Sequence, residues 1–246
     1  MRYLMQRSIF SLLWLALIIV IGGACSHKIS YNSPVALKNI TSSVVKIGVE
    51  YITQDKITLA MVQRGHFATG FSIVATDAVS FVLTNKHVCA MGAAANYILT
   101  LQSGEKVLAR FIRSDPFADI CLLGTASVIP QLKLANDNAS QGDRIVTIGG
   151  PDGVYPLLVD GLMSGYGNMD MRNEQDEDGE FEVHFRAQVM SAPVYPGSSG
   201  SPVVDVNGEV IGIVFAVRGE KEHIAFIVPI SEVWRFLQIK EYVHMN

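Results

Sequence analysis

Tyr195-Pro-Gly-Ser-Ser-Gly-Ser-Pro-Val-Val204 is the stretch on which the reading of this chain turns. A serine flanked by glycines needs a physical reason. Gly197 and Gly200 allow a backbone path tight enough for the Gly197 and Ser199 N–H groups to point at one spot, with the Ser199 side chain facing the same cleft. Two convergent donors beside a hydroxyl are the makings of an oxyanion site. The competing reading is a plain Gly-Ser turn ahead of a strand at Pro202–Val206. The G-x-S-x-G elbow of the α/β-hydrolases does not fit, because Ser201 stands where its last glycine belongs and no strand–helix alternation surrounds it.

Two stretches upstream carry complementary chemistry. Val82-Leu-Thr-Asn-Lys-His-Val88 runs an apolar strand into His87, whose neutral imidazole can accept a proton from a serine hydroxyl. Ser114-Asp-Pro-Phe-Ala-Asp-Ile-Cys-Leu-Leu123 places Asp119 at the opening of another apolar run, where a partly buried carboxylate needs a partner such as a histidine N–H. Asp115, before Pro116, reads as a turn residue, and His27, His66, His184, His223 and His244 read as structural. His87, Asp119 and Ser199 follow one another at spacings of 32 and 80 residues. The order His, Asp, Ser is one of three in which a nucleophilic triad is built on unrelated folds.

Around these motifs the text is written in short apolar runs. Ser43–Tyr51, Thr69–Ala75, Ser80–Val88, Asn96–Leu101, Lys106–Ile112, Ile120–Gly124, Arg144–Ile148, Leu157–Ser164, Glu182–Val189, Pro202–Val206, Val210–Val217 and His223–Val228 are rich in Val, Ile, Phe and Thr and read as strands. Turn chemistry separates them, with Asn207-Gly208 the strongest hairpin signal. A dozen strands without intervening helices imply an antiparallel sandwich or a pair of barrels. Only Ile230–Val243 has helical spacing, with Ser231 as N-cap and Val233, Phe236, Leu237 and Ile239 apolar.

The 246 residues are 49% hydrophobic, carry a formal charge of −4 and include three cysteines. That excludes disordered and collagenous classes and gives no basic excess for a nucleic-acid partner. Residues 1–25 form a leader: Arg2 and Arg7 precede 17 uncharged residues, Ser8–Ala24. It reads as an export signal or a membrane anchor, and either places the remainder outside the cytoplasm. Cys25, directly after Gly22-Gly23-Ala24, resembles the lipidated cysteine of bacterial lipoproteins; ordinary cleavage and an uncleaved anchor are the alternatives. Residues 26–42 are polar, contain Pro34 and read as a tether.

The quoted motifs, taken together, resemble the trypsin-like serine proteases of the chymotrypsin fold, and among them the bacterial HtrA/Deg proteases. Ser43–Ile47 is similar to the family's opening strand, Thr69–Val74 to the glycine-bearing strand before the histidine, and Gly142–Pro151 to the opening of the second half. Ala225–Ile230 leads into the terminal helix as in that family. The resemblance implies an all-β domain over 43–246: two six-stranded antiparallel barrels, about 43–126 and 130–229, and a C-terminal helix at 230–243. It further implies a serine endopeptidase with Ser199 as nucleophile, His87 as base, Asp119 as its orienter and the Gly197 and Ser199 N–H groups as oxyanion hole. Protein or peptide substrates follow, in the cell envelope or periplasm, held at the membrane through the leader or a lipid, with neither metal nor organic cofactor. Pro193, Val194, Phe215, Ala216 and Val217 would wall the primary specificity pocket, whose lack of charge favours small or medium apolar residues. The sequence departs from the family at Ser198 and Ser201, and no PDZ domain follows the helix.

Two further features remain. Cys89 and Cys121 each lie two residues past a triad position, so period-two strands can bring them together as a disulfide, as free thiols or, with His87, as metal ligands. Asp170–Glu182 holds seven acidic residues and reads as a solvated loop, with calcium binding or steering of basic substrates as alternatives. A rival to the enzyme is a non-catalytic peptide-binding or scaffold relative of the same fold.

Overall fold

The computed structural model describes residues 40–55, 58–76, 78–115, 117–150, 153–172, 182–217 and 224–238, all within one compact unit, Pro34–Asn246. The leader, Cys25, most of the tether, the middle of the acidic loop, His223 and the end of the expected helix lie outside the described residues.

Strands β1 (Val44–Gln54), β2 (Met61–Ala75), β3 (Ser80–Thr84), β4 (Asn96–Thr100), β5 (Lys106–Ser114) and β6 (Cys121–Thr125) form the first barrel. Strands β7 (Arg144–Gly149), β8 (Leu157–Arg172), β9 (Glu182–Ser191), β10 (Pro202–Val204), β11 (Val210–Val217) and β12 (Ala225–Pro229) form the second. Both barrels close, in the order β1-β2-β3-β6-β5-β4 and β7-β8-β9-β12-β11-β10, so one topology is used twice. The paired strands run antiparallel, and helix α1 (Ile230–Gln238) follows the last strand. The expected all-β architecture of two six-stranded barrels and a terminal helix is the one found.

Period-two alternation distributes the apolar residues over three cores. Val45, Ile47, Val82, Cys121 and Leu123 fill the first barrel, while Ile145, Met163, Val203, Val214 and Ile227 fill the second. Their strand neighbours Val44, Leu83, Leu122, Ile213 and Phe215 point the other way into a third core, which also takes Phe71, Ile120 and, from α1, Val233 and Phe236. Each fully buried Leu, Ile or Phe in it contributes roughly 1.5–3 kcal/mol. The third core runs from Ala118 and Ile120, the neighbours of Asp119, to β11. It packs strands of both barrels and α1 against one another.

The structure differs from the sequence reading at strand ends. The strand expected over Ser80–Val88 stops at Thr84, and His87–Cys89 is a 3-10 turn in which Cys89 N–H donates to the Lys86 carbonyl at 2.8 Å. The strand ends because Asn85 leaves the ladder to donate its side-chain amide to the Asp119 carbonyl at 2.9 Å. β2 begins at Met61 and β8 continues to Arg172, both longer than expected. The β2 extension, Met61–Phe67, is exposed at nearly every position and lacks the alternation that marks a half-buried strand.

Candidate active site

Asp119, 1% exposed, lies two residues before β6 and grips His87 twice. One carboxylate oxygen accepts the His87 backbone N–H at 2.9 Å and the other lies 2.6 Å from ring Nδ1. The same carboxylate thus sets both the turn and the ring. Burial works to lower the His87 pKa, but the charge of Asp119 and its hydrogen bond outweigh it, and the pKa is raised above 6.5. Cys89 and Cys121 form a disulfide that ties the His87 turn to β6. His66, on β2, feels His87 in return: burial first, then the neighbouring imidazole, lower its pKa.

The turn carrying Asp119 is itself built by Asp115. Asp115 Oδ1 accepts the N–H groups of Phe117 and Ala118, both at 2.7 Å, the local bonding expected of a turn aspartate. Its other oxygen lies 3.0 Å from Arg235 of α1, an ion pair without the alignment of a hydrogen bond. Arg113 of β5 donates to the Phe236 carbonyl at 2.7 Å, so α1 straps the end of the second half onto the first.

Ser199 lies on the loop between β9 and β10. Gly197 has φ +95° and Gly200 φ +84°, the left-handed region that glycine enters without strain. Around them every other N–H is engaged: Ser198 donates to Tyr195 at 2.9 Å, Gly200 to Val214 at 2.9 Å and Ser201 to Ser198 at 3.0 Å. Among the described residues, the Gly197 and Ser199 N–H groups have no protein acceptor. The loop is fastened to the first barrel at Thr69 of β2. Thr69 N–H donates to the Ser199 carbonyl at 2.8 Å, and its hydroxyl donates to the Gly197 carbonyl at 2.8 Å. A Cβ on Gly200 would stand 1.9 Å from the Thr69 carbonyl oxygen, so the two barrels meet there backbone to backbone. Ser201, at the family's usual glycine, fits because a glycine faces it: a Cβ on Gly149 would lie 2.0 Å from its Oγ.

The structure therefore joins His87 to Asp119 directly and brings the Ser199 loop to the same barrel wall through Thr69. No hydrogen bond links Ser199 to His87 among the described residues. Catalytic bonds of this kind often close only when substrate is bound. Of the expected pocket wall, Val194 is buried with Val214 in the second barrel's core. Phe215 is a strand neighbour of Val214, faces the opposite side and stacks between Phe185 and Phe226, at centroid distances of 5.2 and 6.2 Å. Pro193 is half-buried, and the side chains of Ala216 and Val217 lie outside the described residues. Sequence reasoning singled out neither Val214, whose carbonyl accepts the Gly200 N–H, nor Thr69 as a partner of the Ser199 loop. A strand's alternation identifies Val214 once its register is known, whereas nothing local marks Thr69. Among the described residues, no cluster of three or more His, Cys, Asp or Glu side chains is placed to hold a metal.

Two barrels of this order, with the His–Asp pair on one and the glycine-flanked serine loop on the other, define the class of chymotrypsin-like folds. The trypsin-like peptidase domain model matches residues 68–213, more than half of the chain, which therefore belongs to that family. A Haemophilus influenzae protein described as "Probable periplasmic serine protease do/HhoA-like" is 30% identical over 182 residues, covering 72% of this chain and 37% of its own length. The serine protease HtrA-like of Staphylococcus aureus is 25% identical over 215 residues, covering 84% of this chain and 26% of its own. The chain thus spans well under half the length of these relatives. Among solved structures, the active form of the Rv3671c protease from M. tuberculosis superposes with a TM-score of 0.67 at 24% identity, covering 84% of each chain. The HtrA-type protease AlgW with a decapeptide gives 0.64 at 22% identity, covering 85% of this chain and 67% of that one. Both likenesses speak to the fold.

Proposed function

We propose that the chain is a serine endopeptidase that hydrolyses peptide bonds through an acyl-enzyme. Ser199 Oγ attacks the scissile carbonyl while His87 takes its proton and later delivers it to the leaving amine. Asp119 holds the proton on Nδ1, which leaves Nε2 free as the base, and stabilises the imidazolium that forms. The Gly197 and Ser199 N–H groups receive the oxyanion of the tetrahedral intermediate. Water then repeats the sequence on the ester and releases Ser199. The observation that carries this reading is the double grip of Asp119 on His87, ring and backbone together, beside a serine loop with two unspent N–H donors.

The residue before the scissile bond would meet half-buried Pro193 with Val194 and Val214 buried behind it and Phe215 turned away into the third core, none of them charged. A basic side chain there would lose hydration without gaining a counter-ion, so small and medium apolar residues are preferred. The leader and the relative named as periplasmic support work in the cell envelope, in protein quality control or regulated proteolysis, with attachment through the leader or a lipid on Cys25. The decapeptide carried by AlgW supports peptide or protein substrates.

The test is covalent labelling with a fluorophosphonate on leaderless protein, read by mass. Label on Ser199 that vanishes in Ser199→Ala and His87→Ala supports the assignment. Folded wild-type protein that stays unlabelled, with and without added unfolded substrate, overturns it in favour of a non-catalytic scaffold.

A further inference from the structure

We propose that Thr69 is a positioning residue that sets the oxyanion site from the opposite barrel, an inference that rests on the protease reading above. Thr69 is fully buried, and three of its four polar functions face the catalytic loop or its neighbour. The hydroxyl donates to the Gly197 carbonyl at 2.8 Å and accepts the Gly150 N–H, from the segment after β7, at 3.1 Å. The backbone N–H donates to the Ser199 carbonyl at 2.8 Å. The remaining carbonyl accepts the Thr84 hydroxyl of β3 at 2.7 Å, which anchors the whole arrangement in the first barrel's wall.

The peptide geometry gives these bonds their meaning. A peptide unit is planar, so fixing its carbonyl fixes its N–H. Thr69 pins the Gly197–Ser198 unit by its carbonyl and the Ser199–Gly200 unit by its carbonyl. The second unit is also held at its other end, where Gly200 N–H reaches Val214. Between these two clamped planes lies the Ser198–Ser199 unit, whose N–H is one of the two oxyanion donors. The Gly197 N–H, the other donor, sits on the residue whose own carbonyl the hydroxyl holds. Glycine at 197 can rotate at little cost, so its orientation needs an external constraint. The Thr69 hydroxyl supplies that constraint, and its Gly150 contact directs its own lone pair and proton. Ordering the donors before substrate arrives is what makes an oxyanion site effective.

Thr69→Val keeps the shape and the backbone bond but deletes both hydroxyl bonds. The reading predicts that kcat falls by about 10- to 100-fold while KM stays within about two-fold, less than the 100- to 1000-fold expected for deleting a donor outright. A peptide boronate, which presents a tetrahedral oxyanion, should weaken by the same factor as kcat. The acid limb of the pH profile should not move, because the hydroxyl bonds neither His87 nor Asp119. Thr69→Ser should restore activity to within a few-fold. Thr125→Val is the control for stability alone, since its hydroxyl is also buried and donates to the Leu108 carbonyl at 2.7 Å away from the seam. Activity per folded molecule near wild type in Thr69→Val, or an equal loss in Thr125→Val, overturns the inference. Where Thr69→Val does not fold, Thr69→Ser against Thr69→Cys decides: equal kcat overturns the inference and a weaker thiol variant supports it. Wild-type protein that fails to label at Ser199 overturns the protease reading instead, so the two failures are separable.

Discussion

The first barrel and the second have the same strand order, yet they contribute in opposite ways. In the first, His87 and Asp119 are only 32 residues apart, and a carboxylate, a side-chain amide and a disulfide bind them within one wall. In the second, Ser199 lies on a loop whose conformation depends on partners outside its own strand ladder, among them Thr69 of the other barrel. The His87–Asp119 pair is joined by bonds within its own barrel, with Arg235 of α1 reaching the Asp115 turn beneath it, whereas the Ser199 loop takes bonds from both barrels. A duplicated scaffold can therefore hold a His–Asp pair within one half and a serine loop that takes bonds from both.

The strongest way to break the contrast is at Asp119. Asp119→Asn keeps the volume but favours the wrong tautomer of His87, and kcat should fall about 10,000-fold with little change in KM. Steady-state kinetics on a peptide substrate checks it. Gly200→Ala attacks the other side: its Cβ meets the Thr69 carbonyl and its φ is unfavourable, so the barrels must part locally. Unfolding in urea should show a loss of at least about 3 kcal/mol, with fluorophosphonate labelling lost as well. Replacing Cys89 and Cys121 together by alanine opens a 32-residue loop in the first barrel, which chain entropy values at about 3–4 kcal/mol. Hydrogen exchange should show the increase in β3 and β6 rather than in β9 to β12.

Arg235→Met leaves buried Asp115 without its cation. Because Arg235 is 38% exposed, the expected cost is about 1–2 kcal/mol, below that of breaking a fully buried pair. The smallest effect is on pH. The His87 pKa is raised above 6.5, so kcat/KM should fall with acid at a midpoint above 6.5. Stability runs the other way, since the pair's contribution is complete below 6.5 and is lost as pH rises through the raised value. A pH profile read beside thermal unfolding tests both signs.

How much of this was legible in sequence follows the same division. His87 and Asp119 could be found because apolar runs lead into and out of them and mark strand ends. Ser199 was legible through its glycines, whose backbone requirement is local. Phe215 was grouped with Val194 although they face different cores, because the side on which a strand residue falls depends on a register that no local pattern states. Thr69 escaped notice because it resembles any strand threonine. Its partners are 81 and 128 residues away, and only the folded seam brings them together. The long stem of β2 is hidden for a related reason: nearly all of Met61–Phe67 is exposed, and pairing with β1 rather than burial holds it extended.

The strap formed by α1 has a temporal consequence. The chain emerges from its N-terminus, and Ser199 appears before β11 supplies the Val214 carbonyl to Gly200 and before α1 brings Arg235 to the turn of Asp119. A nascent chain that has just exposed Ser199 holds that loop without its Val214 bond and the Asp119 turn without its Arg235 contact. Both contacts close only with later elements, so the geometry of the Ser199 loop and of the Asp119 turn is completed late in synthesis.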